Sequence, residues 1–67
     1  MKRMKVGTIV CPRWFIAGSP VGLGTDTRCV VLEVRTKAKR VRVQRDDGRF
    51  GEYWLDRDAI RVYGEVE

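Results

Sequence analysis

The chain has 67 residues, 43% hydrophobic and 34% charged, with a formal net charge of +5. That balance belongs to a folding chain, yet a domain of this size buries only about 60% of the surface its unfolded form exposes, so one small domain of modest stability is the most it can be. No uninterrupted apolar run approaches the roughly 20 residues of a membrane span, and no membrane partner is expected.

Period-two alternation and β-branched residues, broken by Gly, Pro and Asp clusters, predict short strands and no substantial helix. Residues 1–5 are a charged start expected to fray, ahead of a single domain over residues 6–67. Val6 to Cys11 reads as a first strand, stopped by Pro12, which cannot donate to a ladder. Trp14 to Thr27 reads as a long, glycine-rich irregular loop. Arg28 to Thr36 is a second strand, with Val30, Leu32 and Val34 on one side and Glu33 and Arg35 on the other. A short turn, Lys37-Ala38-Lys39, leads to a third strand, Arg40 to Arg45, in which Val41 and Val43 alternate with Arg40, Arg42 and Gln44. Asp46-Asp47-Gly48 is a hairpin signal before a fourth strand, Phe50 to Leu55. Asp56 to Ala59 suggests one turn of 3₁₀ helix with Asp56 as N-cap, and Ile60 to Val66 a last strand.

What is missing narrows the chemistry. There is no histidine, the commonest general base and metal ligand. Two cysteines, Cys11 and Cys29, fit neither a four-ligand zinc site nor a multiply bridged secreted scaffold. They are expected on neighbouring strands as reduced, small hydrophobes, which suits a reducing cytoplasmic setting. The loop from Gly18 to Thr25, with the single serine Ser19, lacks the Gly-Lys-Ser/Thr that closes a phosphate-binding loop. No cofactor, metal or enzymatic activity is expected.

Five short strands cannot build two sheets of useful size, and a small barrel solves the edge problem. A long first loop, a short second turn, a tight third hairpin and a 3₁₀ turn before the last strand is the loop order that resembles SH3-like barrels. The turn Arg45-Asp46-Asp47-Gly48, then Tyr53-Trp54-Leu55 and Asp58-Ala59-Ile60, also resembles small Tudor- and KOW-type barrels. The expected fold is therefore all-β, a five-stranded SH3-like barrel, with an OB-type barrel as rival. The motif and paired tryptophan of proline-binding SH3 domains are absent. The Tudor resemblance implies an aromatic cage for methylated lysine or arginine, to which Trp14, Phe15, Tyr53 and Trp54 could contribute rings.

Which face the third hairpin presents depends on register. A three-residue loop with Gly48 in the left-handed position pairs Gln44 with Phe50, Arg42 with Glu52, Val41 with Tyr53 and Arg40 with Trp54. That register puts Val41, Val43, Tyr53 and Leu55 on the core side. The alternative two-residue turn sets Val43 against Glu52, burying a carboxylate among valines, but it also buries Phe50 and Trp54.

In the first register the outer face carries Arg35, Arg40, Arg42, Gln44, Phe50 and Trp54, with Lys37 and Lys39 at the adjoining turn. Residues 28–45 hold a net charge of +6 and residues 46–67 a net −4, and ten of the fourteen cations are arginine. Arginine forks onto phosphate and stacks on rings. Cations interleaved with exposed aromatics suit single-stranded nucleic acid. The expected function is a non-enzymatic module contacting DNA or RNA through Arg35, Lys37, Lys39, Arg40, Arg42, Phe50 and Trp54. Two alternatives stand beside it: an ordinary solvated face, and a docking surface for a protein partner or a second copy of the chain.

Overall fold

The computed structural model describes residues 4–18 and 21–63. Ser19, the two ends of the chain and the final residues of the expected last strand lie outside the described residues.

Five strands form one antiparallel sheet: β1 (Ile9–Pro12), β2 (Cys29–Arg35), β3 (Arg40–Arg45), β4 (Glu52–Asp56) and β5 (Ile60–Val62), with a one-turn 3₁₀ helix at Arg57–Ala59. Their order is β4-β3-β2-β1-β5, so the first strand lies between the second and the last, while β4 and β5 remain as edges. The sheet is not closed. Among the described residues no helix is long and apolar enough to cross a membrane.

Inward-facing positions make the core: Val10, Leu23, Cys29, Val31, Val41, Val43, Tyr53, Leu55 and Ile60, with Met4, Ile16 and Val34 packed against them. β3 and β4 show the alternation of a half-buried sheet, Val41 and Val43 inward with Tyr53 and Leu55 beside them. Met4 packs on this core, and Lys5 and Thr8 close a turn in which the Thr8 amide donates to the Lys5 carbonyl at 3.0 Å. β1 starts at Ile9 and not at the expected Val6, and it ends at Pro12, which is itself its last residue: Pro12 sits opposite Ile60, and the next amide, that of Arg13, donates to the Ala59 carbonyl at 2.7 Å.

β2 departs from the expected facing. Its register against β3 shifts between Val31 and Glu33, leaving Leu32 as an extra residue, so that Val31 pairs with Val43 but Glu33 pairs with Arg42 and Val34 with Val41. A bulge of this kind reverses the alternation beyond it. Cys29 and Val31 are therefore the buried residues of β2, and Val34 joins them on the core side instead of sharing a face with Val30 and Leu32.

The described parts of the long connection after β1 are held by contacts of their own. Ile16 and Leu23 exchange two backbone hydrogen bonds, at 2.9 and 2.7 Å, and Leu23 is 0% exposed. The Tyr53 hydroxyl donates to the Val21 carbonyl at 2.7 Å, tying this loop to β4. Gly22 permits the close approach, since a Cβ there would lie 2.6 Å from Phe15 Cζ and 2.9 Å from the Ile16 carbonyl oxygen.

Candidate nucleic-acid interface

The third hairpin decides which side chains share the outer face. β3 and β4 pair Arg40 with Asp56, Val41 with Leu55, Arg42 with Trp54, Val43 with Tyr53 and Gln44 with Glu52. Neither register expected from the turn signal occurs; pairing is displaced two residues from the three-residue-loop register. The reason is a longer connection in which Gly48, Phe50 and Gly51 all take positive φ, at 74°, 64° and 77°. Gly48 is left-handed, and its amide donates to the Arg45 carbonyl at 2.8 Å, but the chain needs a second reversal before pairing resumes at Glu52. A shift of two residues preserves which face each side chain takes. Tyr53 and Leu55 point inward, and Trp54 stays on the outer face, 39% exposed.

Around Trp54 the side chains form a lattice. The Arg35 guanidinium lies 4.7 Å from the ring centroid and that of Arg42 5.9 Å, while the expected Arg40–Trp54 stack is replaced by an ion pair between Arg40 and Asp56 at 3.7 Å. Glu33 accepts a hydrogen bond from Arg35 Nε at 2.8 Å and pairs through its other oxygen with Arg42 at 3.4 Å. Glu52 accepts from the opposite terminal nitrogen of Arg42 at 2.8 Å, so the expected Arg42–Glu52 attraction exists as a diagonal contact. Both terminal nitrogens of Arg42 are thereby engaged, and its Nε is covered without a hydrogen-bond partner. The Arg35 hydrogen bond, helped by the charges of Arg35 and Arg42, holds the Glu33 carboxyl below its ordinary range.

The basic and acidic blocks of the sequence thus meet in space. Arg28 pairs with Asp46 at 3.3 Å and Arg45 with Asp47 at 3.1 Å, in addition to the pairs around Trp54. Lys37 and Lys39 differ: no carboxylate among the described residues pairs with either. Lys39 takes a left-handed φ of 54° in the β2–β3 turn, and its carbonyl accepts the Arg57 amide at 2.9 Å. Arg57, exposed at the start of the 3₁₀ turn, therefore joins the two lysines at one rim. Sequence reasoning missed it because the contact depends on the chain returning from β4. Asp56 occupies the N-cap position of that turn but makes no side-chain capping bond.

The structure therefore brings Arg35, Arg40, Arg42 and Trp54 together, with Lys37 and Lys39 at the adjoining turn. Phe50 is not among them. It lies in the β3–β4 loop under the Arg45 guanidinium, 5.0 Å from the ring centroid, at the other end of β3. At about 3.3 Å per residue, β3 separates that end from the lysine rim by roughly 17 Å. The rings expected to line a cage are divided as well. Tyr53 is buried with its hydroxyl bonded in the loop, Trp54 faces the opposite way, and Trp14 and Phe15 are exposed on the loop.

Cys11 and Cys29 are free, buried thiols on β1 and β2. Burial, then the neighbouring Cys11, pushes the Cys29 thiol up to about 11. Comparison with family models, curated proteins and solved structures finds no match to this chain.

Proposed function

We propose that this chain is a non-enzymatic binding module of SH3-like type that contacts nucleic acid through the outer face of β2, β3 and β4. The meander order, with β1 lying between β2 and β5 and a 3₁₀ turn immediately before β5, supports the SH3-like assignment. The observation that carries the functional reading is Trp54, solvent-accessible at the centre of an arginine-lined strand pair and adjoining a rim of cations without acidic partners among the described residues. A ring and stacked guanidinium offer planar surface to a base, and the rim offers charge to phosphate.

Binding of short oligonucleotides should weaken steeply with salt. Each phosphate contact contributes about 0.7–0.9 to the log–log slope, so Lys37→Ala with Lys39→Ala should flatten it by about 1.5. Arg42→Ala should change the slope less, because Arg42 is already paired with Glu33 and Glu52. Trp54→Ala should weaken binding roughly tenfold, from a base–ring stack worth about 1–3 kcal/mol. Failure to detect any DNA or RNA binding at low salt would end this reading.

A second reading is favoured by a separate observation: the connection after β1 exposes Trp14 and Phe15 at 55% and 67%, a patch suited to a protein partner. It predicts complex formation with little salt dependence that is lost on Trp14→Ala with Phe15→Ala and kept on Lys37→Ala. A partner whose binding survives the double aromatic substitution would rule it out.

A further inference from the structure

The bulge at Leu32 has a chemical result at the proposed site. Regular alternation from the buried Val31 would turn Glu33 inward; the extra residue turns it outward instead, opposite Arg42. There its two oxygens hold both guanidiniums that lie on Trp54. Together with Glu52 and Asp56, which flank Trp54 on β4, Glu33 balances Arg35, Arg40 and Arg42 one for one. The outer face is therefore polarised. A neutral centre surrounds the ring, and at the adjoining rim Lys37, Lys39 and Arg57 have no ion-pair partner among the described residues.

Resting on the nucleic-acid reading above, we infer that this face selects single strands over duplexes and that Glu33 is the residue that enforces the choice. A single strand can place phosphates on the rim and swing an unpaired base over Trp54, where there is no net charge to repel or attract it. A duplex keeps its bases stacked and can offer the centre only phosphates, which find no net positive charge there because each arginine fork is already held by a carboxylate. Glu33 matters most of the three carboxylates because it touches both ring-stacked arginines, so neutralising it leaves the centre net positive, frees the Arg35 fork and releases one of the two terminal nitrogens of Arg42.

The test uses the full chain, a labelled mixed-sequence DNA oligonucleotide and its duplex, at low salt, read by fluorescence anisotropy. Wild type should prefer the single strand. Glu33→Gln should tighten duplex binding about fivefold, the scale of one charge acting at contact distance in water, and change single-strand binding less. The single-to-double ratio should therefore fall, and Glu52→Gln should move it the same way. Trp54→Ala should weaken the single strand alone. Wild type binding the duplex as tightly as the single strand would overturn the inference, as would a ratio unmoved by Glu33→Gln and Glu52→Gln, while leaving nucleic-acid binding itself intact. Loss of all binding by wild type would overturn both.

Discussion

Leu23 offers the sharpest test of how the protein is held together, because it lies in a loop yet is as buried as any strand residue. Leu23→Ala removes three carbons from a fully enclosed site. At about 0.8 kcal/mol per methylene the transfer loss is roughly 2.4 kcal/mol, and the cavity left behind brings typical Leu→Ala costs to about 2.7–5 kcal/mol. At about 0.05–0.15 kcal/mol per residue, a chain of this length has only about 3–10 kcal/mol in total. The variant should thus lose at least a quarter of its stability. For so small a domain, about 4–8 °C of midpoint accompanies each kcal/mol, so the thermal transition should drop by more than about 10 °C. Thermal melts followed by far-ultraviolet circular dichroism and tryptophan fluorescence measure this, with Val21→Ala as a control on an exposed side chain of the same loop. A Leu23→Ala midpoint within about 3 °C of wild type would mean the loop is not part of the core, and the account of its order would fail.

Further outcomes follow from single contacts. Tyr53→Phe deletes the hydroxyl donated to Val21 and should cost about 1 kcal/mol in urea denaturation, leaving the outer face and any Trp54-dependent binding unchanged. Gly22→Ala should destabilise further than a solvent-exposed Gly→Ala change, since its Cβ meets the fixed Ile16 carbonyl oxygen as well as the movable Phe15 ring; adding Phe15→Ala should recover only part of the loss. Because the folded Glu33 carboxyl sits below the usual value of 4.5, its stabilising contribution is complete above the unfolded value and disappears as pH falls through the lowered one; NMR titration of Glu33 should return to the ordinary range in Arg35→Ala. With its thiol raised to about 11 by burial, Cys29 should resist alkylation at pH 8 until denaturant is added.

The parts of this fold that were legible in the sequence are those governed by local alternation. Val41 and Val43 between Arg40, Arg42 and Gln44 define a strand whose observed limits, Arg40–Arg45, match those expected. The burial of Tyr53 and Leu55 and the outward side of Trp54 also follow from period two, and they survive the register change because the displacement is two residues and not one. The register itself was not legible. Phe50 takes a left-handed conformation that bulky residues rarely adopt, so nothing in its identity announced that the loop would continue to Gly51. The bulge in β2 was hidden for a different reason: Cys29, Val30, Val31 and Leu32 are all apolar, so either alternation satisfies the pattern, and only pairing with β3 distinguishes them. Charge blocks counted along the chain overstated the basicity of the hairpin, because Glu52 and Asp56 return from the acidic block to sit beside Arg42 and Arg40. Arg57 escaped notice because its neighbour Lys39 is eighteen residues away along the chain.

Leu32 is unopposed across β3, so its removal would leave each remaining partner between those two strands where it is. What would vanish is the local kink and extra twist that an unmatched residue imposes on a ribbon. A chain shortened at that one point could keep its hydrogen-bond ladder and still lose that bend. The shape of this molecule is in that sense stored in a single supernumerary backbone unit, while the pairing pattern alone is compatible with a flatter object.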